Sequence, residues 1–368
     1  MTARRGVALT PMETRRDVIV RAAVLADRLG YETFAVPEGW GLDSVPVLTE
    51  IALRTATIRL ASGVLSVWGR TPATLAMTAA TLHQVSGGRY VLGLGASTQA
   101  LTEGFHDVPF EHPAAKLRDT VTGVRALLRG LPAQLSQAAA ARPLRLGQPA
   151  APEVPIWVAA LGDHATRVAA ELGDGWIPAF VTRDRLPSWA AELSQLRETA
   201  APGAEALSVA SGPITAVGED PGAARDIVAT CVAWYLSAMG DVYRRSVSGQ
   251  GYAAEVRAIL AANPRPSPRH GGRPSRRRGR PRAARRLRNQ RPGPPPARAM
   301  GPGSRHRHDP PAARPAVVQH RGHPPGRGTG RCGQGLSATD LAAAGDAGPV
   351  RQPGPQCPKY TNICGFSP

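Results

Sequence analysis

The chain has 368 residues and a formal net charge of +18, yet residues 1–262 hold 24 Lys+Arg against 24 Asp+Glu while 263–368 hold 21 against 3. The basic character therefore belongs to the C-terminal part and says nothing about the partner of the rest. Residues 1–262 suffice for one large α/β domain, and the absence of any uninterrupted apolar run of ~18 residues excludes a membrane-spanning helix.

Residues 7–9 read as a short apolar strand. A helix follows in which Val18, Ala22, Leu25 and Leu29 recur at three- to four-residue spacing, with Gly30 as its left-handed stop. Residues 33–36 form a second strand closed by Pro37, and 58–64 a third. Thr71 then stands as N-cap with Pro72 in the first turn, and Leu75, Ala79, Leu82 and Val85 make the buried stripe of the next helix. Ser86-Gly87-Gly88 ends it, 90–94 is the fourth strand, and Leu117, Val121, Val124 and Leu128 mark a helix over 116–129. After a looser stretch at 130–152, strand five covers 155–160, a helix 163–172, strand six 175–178 and a helix 186–199. Strand seven lies within 207–217, Asp220-Pro221 caps a helix running to about Gly240, and 252–262 is one more amphipathic segment. Seven strand–helix units at this spacing predict an α/β fold of the TIM (β/α)8-type barrel lacking its last βα unit, with a doubly wound sheet as the alternative.

Residues 1–30 lack the continuous apolar stretch and cleavage site of a secretory leader, so a cytoplasmic protein is expected. Cys231 falls inside a helix and reads as a buried free thiol. Cys332, Cys357 and Cys364 show no CxxC spacing, which supports neither zinc nor a disulfide framework.

Candidate chemistry lies at the strand ends. Gly93-Leu94-Gly95-Ala96-Ser97-Thr98 follows strand four like the start of a dinucleotide fingerprint, but Thr98 stands where the third glycine belongs. Gly93 and Gly95 can equally relieve crowding in the barrel. Leu161-Gly162-Asp163-His164-Ala165-Thr166 joins strand five to a helix, which places free backbone N–H groups at the C-terminal mouth. That is a phosphate site by geometry, or a helix start with Asp163 as N-cap; the two are compatible. Glu38, Trp40 and His106 are the polar and aromatic residues best placed to face the mouth, whereas His83 and His112 sit on or near helices. No HExxH, paired His/Asp spacing or GxSxG occurs, so metal and hydrolase chemistry have no warrant.

With these residues in view, the chain resembles the bacterial luciferase-like family, most closely its coenzyme F420-dependent oxidoreductases. The resemblance rests on Leu29-Gly30-Tyr31, Gly63-Val64, Arg70-Thr71-Pro72, the segment from Ser86-Gly87-Gly88-Arg89 to Gly95, Glu103-Gly104-Phe105, and Gly173-Asp174-Gly175, and covers about residues 5–240. It implies a non-prolyl cis peptide at Gly63-Val64 against the central ring of a flavin or deazaflavin. It also implies that Leu161, Gly162, Asp163 and Thr166 belong to the loop holding the cofactor phosphate, with Gly95, Ala96, Ser97 and Thr98 beside the cofactor tail. Glu38 and His106 are the catalytic candidates. The implied reaction is hydride transfer between F420 and a small-molecule substrate; FMN with monooxygenase chemistry is the alternative. The pattern at Gly63-Val64 and Arg70-Thr71-Pro72 favours F420, although relatives often carry proline at the position of Ser66. A homodimer is carried as an expectation.

Residues 263–368 are of another kind: Arg, Pro, Gly and Ala make up 68 of them. They lack hydrophobic period and are expected to be disordered. A nucleic-acid-binding arm is one reading, through Arg276–Arg278 and Arg285-Arg286, but almost no aromatic residues are interleaved for base stacking. A natural disordered extension is another. The favoured reading is a GC-rich gene translated out of frame, because all four residues have codons beginning with two G/C bases. The family's closing βα segment is not recognisable there, which would leave strands one and seven as open edges, an aggregation hazard.

Overall fold

The computed structural model describes residues 4–263 and a strand at 362–366. The strands are β1 (Gly6–Leu9), β2 (Thr33–Val36), β3 (Arg59–Ser62), β4 (Leu65–Ser66), β5 (Tyr90–Gly95), β6 (Ile156–Ala159), β7 (Gly175–Ile177), β8 (Ser208–Val209), β9 (Ile214–Ala216) and β10 (Asn362–Phe366). The helices are α1 (Arg16–Arg28), α2 (Ser44–Arg54), α3 (Pro72–Val85), α4 (Gln99–Gly104), α5 (Pro113–Leu128), α6 (Asp163–Leu172), α7 (Leu186–Ala200), α8 (Pro221–Ala238), α9 (Asp241–Val247) and, after a π turn at Ser248–Tyr252, α10 (Ala253–Ala262).

The strands run in the order β8-β7-β6-β5-β3-β2-β1-β10-β9, with β4 also on β5. Laid flat, these neighbours would span about 38 Å. Residues 210–213, which link β8 at one end to β9 at the other, reach at most about 18 Å. The sheet must therefore curl, and it does so as a TIM-like half-barrel. From β1 to β8 every pairing is parallel, as helical crossovers require. The doubly wound alternative is ruled out because the order from β1 to β8 follows the sequence without the reversal such a sheet requires.

The curl has a small lumen. Ala35, Ala61, Val91, Trp157 and Ala210 form a separate buried cluster with Ala8 and Ile177, inside the ring of residues that pack outward against the helices. Trp157 is paired in register with Gly93 on one side and Gly175 on the other. A Cβ on Gly175 would lie 2.4 Å from the indole, so the Gly173-Asp174-Gly175 turn is glycine-rich for packing. Asp174 Oδ2 accepts from Ile156 N and Arg125 Nη2, both at 2.8 Å, and fixes that turn. Arg89 closes the other side of the barrel, donating to the carbonyls of Ser86, Ala52, Thr55 and Ile58.

Most expected elements stand within a residue or two of their places. Thr71 and Asp220 cap α3 and α8 as read, accepting from Thr74 N and from Gly222 and Ala223 N. Three differences matter. The single expected seventh strand is two short ones, β8 and β9, on opposite ends of the sheet. Gly162, not Asp163, is the N-cap of α6. Finally, strand one is not left open: β10 lies antiparallel between β1 and β9, and the ends of the strand order are β8 and β9. Its five residues were too few to stand out from the Arg- and Pro-rich composition around them. Apart from Asn263 and these residues, the expectation of a disordered 263–368 segment lies outside the described residues. No helix among the described residues is long and apolar enough to cross a membrane.

Candidate active site

A cleft of about 1420 Å³ opens at the C-terminal ends of the strands. Its floor is made by Val64, Gly95, Ala159 and Ile177. The chain enters this floor through a cis peptide at Gly63-Val64, just where the resemblance implies one. Gly63 N donates to Val36 O at 2.9 Å, which ties the bulge to β2. Gly93 and Gly95 are both needed for it: a Cβ on Gly93 would fall 2.0 Å from Ser62 O, and one on Gly95 would fall 2.7 Å from Val64 Cγ2. Crowding thus explains both glycines, and Gly95 additionally leaves the floor flat. Beneath it the Ser62 hydroxyl accepts from Gly93 N at 2.8 Å and from Tyr90 Oη at 3.1 Å, and donates to Gly93 O at 3.0 Å. Tyr90 is fully buried, which pushes its phenol pKa well above the usual range.

The rim on one side is Ala96, Ser97 and Thr98, with Ser97 in the left-handed region at φ 59°. Thr98 is 5 % exposed and its hydroxyl has no hydrogen-bond partner. A buried hydroxyl left this way costs about 1–3 kcal/mol, which a polar group in the cleft would offset. Facing this rim, Leu161, Gly162, Asp163, His164 and Ala165 carry the start of α6. No side chain caps that helix, and Thr166 N is the first amide bonded back, to Gly162 O at 2.9 Å. The preceding amides, at Asp163, His164 and Ala165, therefore form an open donor set with the positive end of the helix dipole behind it.

The far wall is Met239, Gly240, Asp241, Val242, Tyr243 and Arg245, from the α8–α9 junction. Gly240 makes this wall possible at φ 97°, ψ −177°, a conformation effectively reserved for glycine. Tyr243 packs edge-on against Phe180 and Tyr235 at 5.4 and 5.3 Å, and burial pushes its phenol up to about 12. The sequence reading names none of these as site residues. Gly240, a glycine closing a long helix, is the signal that was there.

The expected site residues divide accordingly. Val64, Gly95, Ala96, Ser97, Thr98, Leu161, Gly162 and Asp163 share the cleft. Gly63 lies behind it, its Cβ direction facing Ala35 at 3.1 Å, and the Thr166 amide is occupied by the helix. Neither catalytic candidate lines the cleft. Glu38 forms a two-point ion pair with Arg70, through Nη1–Oε1 and through Nη2–Oε2 at 3.0 Å, and accepts from Ser44 N and Oγ. This pairing raises the Arg70 pKa, the hydrogen bond that Arg70 donates to Glu38 contributing most. A carboxylate so occupied orders the loop before α2. His106 stands against Gly69 and stacks edge-on with Phe105 at 5.1 Å.

A curled parallel sheet with an apolar cleft at its C-terminal strand ends is the architecture of a barrel enzyme. The chain belongs to the luciferase-like monooxygenase family, whose model matches residues 1–284. A Mycobacterium tuberculosis protein assigned by name to the coenzyme F420-dependent oxidoreductases is 30% identical over 248 residues, covering 60% of this chain and 70% of that protein. Further relatives are matched over a little under half of their own length. Among solved structures, an F420-dependent secondary alcohol dehydrogenase bound to an F420-acetone adduct superposes with a TM-score of 0.58 at 16% identity, over 69% of this chain and 82% of that one. The oxygenating constituent of 3,6-diketocamphane monooxygenase from Pseudomonas putida, in complex with FMN, gives 0.55 at 18% identity, over 72% and 84%. At these identities the two structures speak for the fold alone.

Proposed function

We propose that the chain is an oxidoreductase that holds coenzyme F420 in this cleft and passes a hydride between it and a small organic substrate. The observation that carries the reading is the pairing of a flat apolar floor (Val64, Gly95, Ala159, Ile177) with the open amides of α6 at its edge. A planar ring system bearing a phosphate needs both, and the buried Thr98 hydroxyl offers a third contact. The deazaflavin would supply the hydride chemistry; flavin would also activate oxygen.

The chain's own residues bind, orient and exclude water. Asp163, His164 and Ala165 would hold the phosphate through backbone N–H groups, with Gly162 leaving the approach to them open. Val64 would support the ring from beneath, since its side chain is held in the floor by the absence of any Cβ at Gly93 and Gly95. Ile177 and Ala159 keep the floor apolar. On the far wall Tyr243 keeps its proton at Oη across the physiological range, because its pKa is pushed up to about 12. As a neutral phenol it would meet a substrate as a hydrogen-bond donor, not as a base.

F420 is preferred over FMN because the relative that matches at 30% identity is assigned to F420 enzymes. Titration of the purified chain with each cofactor, followed by absorbance and fluorescence, tests the choice. Saturable F420 binding at micromolar concentration, with FMN at least tenfold weaker, is expected. Tighter FMN binding would move the reading to the monooxygenase branch, and binding of neither would end it.

A further inference from the structure

Within the compact domain that holds the described residues, β9 and α8 to α10 make a terminal supersecondary unit. Among the described residues β9 pairs with no strand but β10, and β8, its predecessor in sequence, belongs to the opposite end of the sheet. α8 packs on β9, α10 packs on α8, and α9 joins them. At the mouth this unit is tied to the barrel by Trp234 against Trp40 at 5.5 Å and by Phe180 against Tyr235 and Tyr243. Gln250 adds a side-chain clasp, accepting from Thr182 N at 2.8 Å and donating to Phe180 O at 3.0 Å. At the sheet, only residues 362–366 join it to β1, with Gly6, Val7, Ala8 and Leu9 opposite Phe366, Gly365, Cys364 and Ile363 on one side. On the other side Ala216, Thr215 and Ile214 face Asn362, Ile363 and Cys364.

We infer that the seam between β1 and β9 is a strand-acceptor slot whose occupant is the chain's own residues 362–366, and that this strand holds the far wall of the cleft in place. The slot is read through backbone hydrogen bonds on both edges, which is why a segment of reversed direction fits where a parallel barrel would place a parallel strand. Because β9 leads directly into α8 and then into Met239–Arg245, loss of the strand loosens the wall that carries Tyr243 while leaving the floor and the α6 start in place. The consequence for cofactor rests on the reading above; the consequence for the unit's protection does not.

Two experiments decide it, both begun without cofactor. The full chain and a chain ending at residue 361 are compared by amide hydrogen exchange. Exchange over residues 214–245 is expected to quicken at least tenfold, with 59–66 and 90–95 unchanged; equal protection of 214–245 in both would overturn the inference. Should the shortened chain fail to fold, the full-length chain still reports. With Cys231, Cys332 and Cys357 replaced by serine, Ala8→Cys is oxidised and scored for an intrachain disulfide with Cys364. Directly paired antiparallel residues lie about 4.5–5.5 Å apart at Cα, inside the range a disulfide bridges. An intrachain cross-link, absent when Cys364→Ser is added, is expected; no cross-link, or a link only between two copies, would overturn it. F420 titration of the two chains then reads the coupling, with at least a tenfold loss of affinity expected on truncation. Unchanged affinity together with quickened exchange would retain the slot but overturn its hold on the cleft wall.

Discussion

The parallel run from β1 to β8 and the unit from β9 to α10 are built to different standards. In the first, β2 and β5 are buried through their whole length, and Trp176, Tyr90, Phe34 and Leu48 are among its fully buried side chains. In the second, α8 runs for 18 residues and buries only Cys231 and Leu236, while α10 buries only Val256. Burial of a Leu-sized side chain is worth about 1.5–3 kcal/mol, so most of the stability of the described domain lies in the first region. The cleft takes its floor and helix start from the rigid region and its far wall from the weakly held one. A cofactor seated on the former, as proposed above, would be covered by the less buried region, an arrangement that would let a second small molecule enter beside it.

The comparison is broken most severely at Gly93. Gly93→Val would place Cβ 2.0 Å from a backbone carbonyl in the middle of β5. A loss beyond about 4 kcal/mol is expected, seen as insoluble protein or a collapsed unfolding midpoint in urea. Near-native stability would mean that the Ser62–Gly93 contact is not as close as described.

The opposite region is probed by Leu236→Ala, at a side chain 1 % exposed in α8. About 2–3 kcal/mol should be lost, but locally: exchange should quicken across 214–263 while β5 and β6 keep their protection. Uniform quickening would show that the two regions unfold as one.

A smaller effect sharpens the rigid side. Asp27 accepts from Ala56 N, Thr57 N, Thr57 Oγ1 and Ile58 N, joining α1 to the start of β3. Burial alone would raise its pKa, but these bonds outweigh that and hold it down to about 2. A depressed folded pKa stabilises above the unfolded value near 4, and that stability disappears as pH falls through the folded value near 2. Since the carboxylate is partly exposed, Asp27→Asn should cost on the order of 1 kcal/mol at pH 7 and progressively less between pH 4 and 2. A difference between the two proteins that stays constant with pH would assign the loss to shape, not charge.

Much of this was legible in the sequence because the rigid region announces itself locally. Apolar period, Thr71-Pro72, Gly30 and Gly87-Gly88 are each short-range signals with one structural meaning. α2 is an exception: the sequence reading leaves 38–57 without an element, although Asp43 is an N-cap that accepts from Val45 N and Pro46 falls in the first turn. α4 is only six residues long and gave no period to read. In the site, the glycines and the α6 start were visible because they follow strands directly. Tyr243 and Met239 were not, since they reach the cleft from a helix junction far along the chain. Glu38 drew attention as an acid at a strand end, and nothing local revealed that Arg70 occupies it.

The central claim, that the α6 start and the apolar floor hold a phosphate-bearing cofactor, is tested most directly by Gly162→Val. A Cβ at Gly162 meets nothing within 4 Å and the backbone sits at φ −101°, so the substitution is tolerated by the fold. Replacing glycine at an N-cap by valine should alter stability by no more than about 1 kcal/mol. The isopropyl group would nevertheless stand among the amides of Asp163, His164 and Ala165. F420 titration of the variant beside the parent chain, with matched urea unfolding curves, is predicted to show affinity reduced at least tenfold at nearly equal stability. Equal affinity in the two proteins would contradict the account.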